Sequence, residues 1–414
     1  FKGVDPIGKV LMFKVNDYLE IKDLHIPNAY IKEFCDSFSA LLDNHSDQLV
    51  DVAVLSNFNS EPVSQMNPES RKYLENIGFK LTGEKMYRGG IVDPQPREIA
   101  ERALFHRHFL HQNTRLENEV IAMRKIPEVR DDFALRGRCE LYRADLKSMA
   151  SANRLHQGVN LRGHQVWATY EHFQDLLIIR GEPADEDLLD IVEFFSQNSD
   201  PNIFKERHAL TQSQFRKLIQ PLIRTGHIVQ DFRGGFRTVI PSKTIDPSEL
   251  RKEYLRKMVQ EFPIITLKQF MKLAGTPFKP EEIKSVLNTF EEDGTLIKGF
   301  LIEDLHEVCW GRKELLEEAK NIVPIRDFVL PPSDPIAPYF ADVLKEKFGF
   351  GSAYLVFKNA EPVAAFKANT RNKIIEVKDF EGSEAGWRIV KEFAWEHQMP
   401  LQTELRIGGK KITR

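Results

Sequence analysis

The chain has 414 residues, 42% of them hydrophobic and 29% charged, with a net charge of -3. That composition is globular, so disorder, collagen and coiled coil are excluded, and about two to four domains are expected. No apolar run reaches the ~18 residues of a membrane span. Residues 1–6 read as neither a signal nor a transit peptide. The three cysteines, Cys35, Cys139 and Cys309, lie far apart and form no metal-ligand spacing. That argues against zinc and disulfides and predicts a cytoplasmic protein with no metal.

Residues 1–93 predict a small α/β module, with strands at 9–15 and 50–55 and helices at 30–42 and 68–77. Asp93-Pro94-Gln95-Pro96 reads as a linker, because two prolines break regular structure. Residues 97–183 predict a mostly helical, first winged-helix-like unit. Its helices fall at 97–111, 118–126, 133–142 and 170–178, and a strand falls at 160–169.

Residues 184–245 carry a clearer pattern. Helices at 185–195 and 203–208 precede a third, which Thr211 caps, Pro221 is expected to kink and Gly226 ends. Strands at 227–232 and 236–240 follow, joined by Arg233-Gly234-Gly235. Three helices and a hairpin predict a winged helix. Residues 246–323 repeat that order, with helices at 250–262, 266–274 and 281–292 and strands at 295–301 and 306–310. Residues 324–414 are β-rich, with strands at 353–357, 363–366 and 374–380 and a helix at 388–397. The expected fold is α+β: tandem winged helices between a small α/β N-terminal module and a β-rich C-terminal module.

Charge is unevenly placed. Residues 203–240 hold Lys205, Arg207, Arg216, Lys217, Arg224, Arg233 and Arg237 against Glu206 and Asp231, a local net charge of +5. Such a patch is the footprint of phosphate binding. Gln212, Gln214, Arg216 and Lys217 on the third helix and Arg233 and Arg237 on the wing are the candidate DNA contacts. Arg107, Arg124, Lys125, Arg130 and Arg162 extend the set. The second repeat mixes Lys279 and Lys284 with Glu281, Glu282, Glu291, Glu292 and Asp293. Those acids would repel phosphate, so that repeat is expected to be structural or protein-contacting.

No phosphate-loop motif occurs, so no nucleotide cofactor is expected and ATP hydrolysis is excluded. His106, His108 and His111 lack the carboxylate of a zinc-hydrolase helix. Glu128, Asp131 and Asp132 follow Pro127 beside Arg124, Lys125 and Arg130. Base excision needs a carboxylate or a water-positioning group beside an extruded base, and Glu128 is the candidate.

Several short motifs, in order, resemble the AlkZ/YcaQ-type winged-helix family, which includes DNA glycosylases acting on alkylated or crosslinked bases. They are Arg102-Ala103-Leu104-Phe105-His106-Arg107, Leu161-Arg162-Gly163-His164-Gln165-Val166-Trp167, Leu330-Pro331-Pro332-Ser333-Asp334-Pro335-Ile336 and Phe348-Gly349-Phe350-Gly351. Ser60-Glu61-Pro62-Val63, Leu74-Glu75-Asn76-Ile77-Gly78-Phe79 and Asp334-Pro335-Ile336-Ala337-Pro338-Tyr339 are similar to the C-terminal region of Lhr-type DNA helicases. The resemblance implies a DNA-binding protein of DNA repair, the non-motor part of such a helicase, with DNA and a helicase motor as partners. The family's Gln-x-Gln catalytic motif falls at Pro127, Glu128 and Val129, and neither glutamine is present. A glycosylase of this chain would therefore rely on Glu128. A non-catalytic protein-interaction scaffold is the third expectation, with self-association among the expected partners.

Overall fold

The computed structural model describes residues 8–15, 18–44, 52–89, 94–141, 145–152, 155–241, 246–303, 305, 307–322, 327–371, 374–407 and 410–413. It is a mixed α and β structure of two compact units. One comprises Phe1–Ala100, Ile264–Thr266 and Leu287–Leu316, the other Glu101–Pro263, Leu267–Val286 and Glu317–Arg414.

In the first unit, a sheet runs in the order Lys9–Val15, Tyr18–His25, Ala53–Phe58, Lys85–Arg88, Phe79–Thr82, with Tyr18–His25 parallel to Ala53–Phe58. The helices Ile31–Asn44 and Pro68–Asn76 bury Ile31, Cys35, Phe38 and Leu74 against Ile21, Leu55 and Phe79. The strand Tyr18–His25 was not expected from sequence. Of the expected linker 93–96, Asp93 lies outside the described residues, while Gln95 bridges Ile302 and its N–H donates to the Leu301 carbonyl at 2.9 Å. A three-stranded sheet orders Ile264–Thr266, Cys309–Gly311 and Ile297–Gly299.

The second unit holds a four-stranded sheet, Gln165–Ala168, His156–Val159, Ile228–Asp231, Phe236–Thr238, and a six-stranded one from Phe328–Leu330 to Lys410–Thr413. Phe105 packs its ring against Phe328, Phe340 and Phe357 at 4.9, 5.7 and 4.8 Å. Such pairs add to the burial of large apolar area. Three sequence expectations change here. The helix expected at 97–111 ends at Arg107, and Phe109 adopts φ 60. The helix expected at 133–142 is the short Asp132–Arg136, after which Cys139–Leu141 is extended. The strand expected at 160–169 is one arm of a hairpin, His156–Val159 with Gln165–Ala168, because residues 160–164 form a turn.

The stretch 185–240 gives Leu189–Gln197, Pro201–Arg207, Gln212–Thr225, Ile228–Asp231 and Phe236–Thr238 in that order. Pro221 lies inside an unbroken helix. The stretch 247–311 differs from the expected repeat, because the strand Ile264–Thr266 intervenes between its first two helices, and the two units divide it. Its sheet belongs to the first unit and Pro247–Glu261 and Leu267–Ala274 to the second. Among the described residues no helix is long and apolar enough to cross a membrane.

Candidate nucleic-acid interface and carboxylate cluster

The helix Gln212–Thr225 starts on a capping box: Gln214 N–H donates to Thr211 Oγ1 at 3.3 Å and Thr211 N–H donates to Gln214 Oε1 at 2.9 Å. It ends at Gly226, φ 83. Phe215, Ile219 and Leu222 are buried, so the amphipathic spacing turns Gln212, Arg216 and Arg224 outward. Phe195 anchors helix and hairpin together through rings on Phe204, Phe215 and Phe236 at 5.6, 6.3 and 5.6 Å. The hairpin turn is set by Asp231, whose Oδ1 accepts from the N–H groups of Arg233 and Gly235, both at 2.8 Å. A side chain at Gly235 would meet the Asp231 carboxylate at 2.9 Å, which explains that glycine. Arg233 is left exposed at the tip.

Between the helix and the hairpin runs a groove of about 700 Å³. Lys205, Arg216, Arg224 and Arg233 line it together with the amides of Asn202, Gln165, Gln212, Gln220 and Gln230, and no carboxylate lines it among the described residues. Thus Gln212, Arg216 and Arg233 are brought together. Gln214 is spent on the cap, and Lys217 and Arg237, both exposed, lie off the groove. The Arg237 guanidinium stacks 3.9 Å over the Tyr170 ring. Arg107 is paired with Glu261 at 3.2 Å. Lys125 is exposed at the end of Glu119–Lys125, and the Arg124 side chain lies outside the described residues.

Glu128 occupies a different place. Val129 exchanges backbone hydrogen bonds with Trp167, at 3.0 and 2.7 Å, and is 1% exposed. Extended backbone sends alternate side chains the same way. Glu128 and Arg130, which flank Val129, are both partly buried. Glu128 Oε1 accepts from Asn160 Nδ2 at 2.7 Å and from Arg162 at 3.2 Å, and its Oε2 lies 3.6 Å from His172 Nε2. Burial pushes the Glu128 carboxyl up, but His172, Arg162 and Asn160 outweigh it and hold the group below the usual carboxylate range. It is an ionised, fully engaged carboxylate.

The turn 160–164 organises that cluster. Asn160 is buried, and its Oδ1 accepts from the N–H of Arg162 at 3.1 Å and of His164 at 3.0 Å while its amide holds Glu128. Arg180 donates to the carbonyls of Val159 and Asn160, both at 2.7 Å. Arg162 also donates to the Pro335 carbonyl at 3.1 Å, and Arg130 to that of Pro332 at 3.4 Å. Both arginines thus support the loop 331–336. Asp131 caps a helix, accepting from Ala134 N–H at 3.1 Å, and Asp132 accepts from Leu146 N–H at 2.6 Å. Sequence reasoning passed over Asn160, His172 and Arg180. An Asn three residues before a Gly is a turn signal that could have found the first.

The histidines of 106–111 gather no metal site: among the described residues no group of three or more His, Cys, Asp or Glu could hold a metal ion. His111 Nδ1 accepts from Asn113 N–H at 3.1 Å, and His108 is pushed down to about 3 by burial and by Arg138.

Among solved structures, this chain is similar to the Streptomyces sahachiroi DNA glycosylase AlkZ. The two share 10% identity and a TM-score of 0.53, over 75% of this chain and 100% of that one. An AlkZ-like fold is present. No protein-family model and no curated protein sequence matches the chain.

Proposed function

We propose that this is a DNA-binding protein of DNA repair that holds duplex or damaged DNA in the groove of Gln212–Thr225 and its hairpin. The observation that carries this is the lining: four cationic side chains, five amides and no carboxylate among the described residues. Arginine and lysine neutralise phosphates, and amides hydrogen-bond to phosphates or base edges. The AlkZ-like fold supports the same reading. In this reading the helices and hairpin of 184–245 are a winged helix, and 246–323 is a second one in a structural role. The modules 1–93, 97–183 and 324–414 flank them in a cytoplasmic protein. The 1–93 module, with its Lhr-like motifs, is where a helicase motor would join.

The direct test is anisotropy of a labelled duplex at rising salt. Affinity should fall steeply between ~50 and ~200 mM salt, because bound cations release counterions. An unchanged affinity ends the proposal.

A second reading, a glycosylase acting through Glu128, is favoured by the ionised carboxylate held on the same hairpin whose arm lines the groove. Glu128 itself does not line the groove, so in this reading it acts on a sugar drawn toward the turn 160–164, where a carboxylate stabilises the positive charge that develops as the base leaves. Incubation with alkylated duplex, followed by alkali to cleave abasic sites, decides it; intact strands rule it out.

A further inference from the structure

The six-stranded sheet of the first unit ends on an apolar edge. Lys9–Val15 pairs only with Tyr18–His25, so the other side of its backbone meets no strand among the described residues. Three consecutive large apolar residues sit there: Leu11, Met12 and Phe13 are 53%, 40% and 49% exposed. Open edges of this kind pair with further strands, and folded proteins blunt them by short length, outward lysines, prolines or bulges. The opposite edge is blunted so, since Phe79–Thr82 has four residues and exposes Lys80. Lys9–Val15 has seven residues and no proline. The bulge beside it places the extra residue, Lys22, in the neighbouring strand, because Leu11 opposes Asp23 while Met12 opposes Ile21. The edge strand itself therefore keeps a regular course.

The sequence of the strand selects its occupant. Val10 and Met12 lie on the face of Leu24 and Ile21, whereas Leu11 and Phe13 lie on the other face, beside Asp23 and Glu20. Two antiparallel copies centred on Met12 set Leu11 opposite the partner's Phe13, Val10 opposite the partner's Lys14 and Lys9 opposite the partner's Val15. This register pairs all seven residues, and no lysine faces a lysine. Opposed residues share a face, so Leu11 and Phe13 from the two copies form one apolar block. Centring on Phe13 would instead set Met12 against Lys14, and a parallel arrangement in register would set lysine against lysine. The two-fold pairing uses up the open edge of each copy, so it closes at two chains.

We infer that Lys9–Val15 is a dimerisation strand, through which two copies of this chain join edge to edge, antiparallel about Met12, into one continuous sheet. The inference is independent of the DNA-binding reading above.

The test is sedimentation of the full chain without DNA, between about 1 and about 200 µM. The average mass should rise toward that of two chains. Leu11→Lys with Phe13→Lys, both at exposed positions, should weaken association at least about tenfold and leave the circular dichroism of the wild type. Oxidation reads the register separately. Opposed Cα atoms of an antiparallel pair stand about 4.5–5.5 Å apart, within disulfide reach. The native Cys35, Cys139 and Cys309 are buried and do not compete. Met12→Cys should therefore give a disulfide-linked dimer, Val10→Cys alone should not, and Val10→Cys with Lys14→Cys should. A chain that stays monomeric throughout overturns the inference; slow hydrogen exchange along Lys9–Val15 in that monomer would mean that a segment of the same chain covers the strand. A dimer that Leu11→Lys with Phe13→Lys leaves intact also overturns it. So does cross-linking at Val10→Cys as efficient as at Met12→Cys.

Discussion

Arg138 grips both carboxylate oxygens of Asp334, with the two side chains 2% and 1% exposed. The same guanidinium donates to the Ala134 carbonyl at 2.7 Å, and Asp334 Oδ1 accepts from Ile336 N–H at 3.1 Å. The pair thus ties the helix Asp132–Arg136 to the loop 331–336, which the carboxylate cluster also uses through Pro335. Removing one partner strands a buried charge. Asp334→Ala should cost about 3–5 kcal/mol of stability, read as a lower urea midpoint. The double change Arg138→Met, Asp334→Leu should recover much of that loss. A single variant as stable as the wild type would show that the pair is dispensable.

The groove separates two arginines that look alike in sequence. Arg233 lines it, whereas Arg237 lies against Tyr170. Arg216→Ala with Arg233→Ala should weaken duplex binding and reduce the slope of log affinity against log salt by about 2. Arg237→Ala should change that slope by less than about 0.5. It should instead loosen the hairpin, because Tyr170 Oη donates to the Thr238 carbonyl at 2.7 Å beneath it. Equal slopes for the two variants would place the phosphate track elsewhere.

Local chemistry explains what could be read from the residues alone. Thr211, Gln214 and Gly226 mark a helix and its ends, and the structure places Gln212–Thr225 between them. The exposed cations of 203–240 were legible because amphipathic spacing decides which side faces water. The strand expected at 160–169 fails because Asn160 folds the chain back with its own side chain, a local competition that apolar alternation does not register. Arg138 and Asp334 are 196 residues apart, and Glu128 meets Asn160 32 residues on. Pattern within a window cannot pair such residues. The Pro-Pro-Ser-Asp-Pro run was visible as a motif, but its physical meaning, a buried anchor for Arg138, needed coordinates.

Glu128 should leave a pH signature. Its carboxyl is held below the ordinary value of 4.5, so folding favours the ionised form. The stability it contributes is full above pH ~4.5 and is lost as pH falls through the lower folded-state value. Glu128→Gln removes that dependence. The difference in Tm between wild type and Glu128→Gln should be constant from pH 7 to 5 and shrink below about 4.5. A difference independent of pH would mean that Asn160, Arg162 and His172 do not favour the anion. The same variant tests the second functional reading, since release of alkylated bases should fall at least about a hundredfold if Glu128 stabilises the departing sugar.

His108 works over a higher range. It is mostly enclosed, with its Nε2 unpartnered and its ring 5.4 Å from Phe262, and burial and Arg138 push its pKa down to about 3 against a hydrogen bond with the Glu261 backbone. The unfolded chain takes up a proton near pH 6.5 that the folded chain refuses. Stability is therefore present above that pH and declines as pH drops from about 6.5 toward about 3, by a few kcal/mol at the acid end. His108→Leu removes both the titration and the unpartnered nitrogen. At pH 7.5 the loss of the hydrogen bond with the Glu261 backbone offsets the removal of the unpartnered nitrogen, so the variant should stay within about 1 kcal/mol of wild type. Its stability relative to wild type should rise steadily in urea melts at pH 6, 5 and 4. A gap that stays flat across those melts would mean that His108 is protonated within the fold, against the repulsion of Arg138.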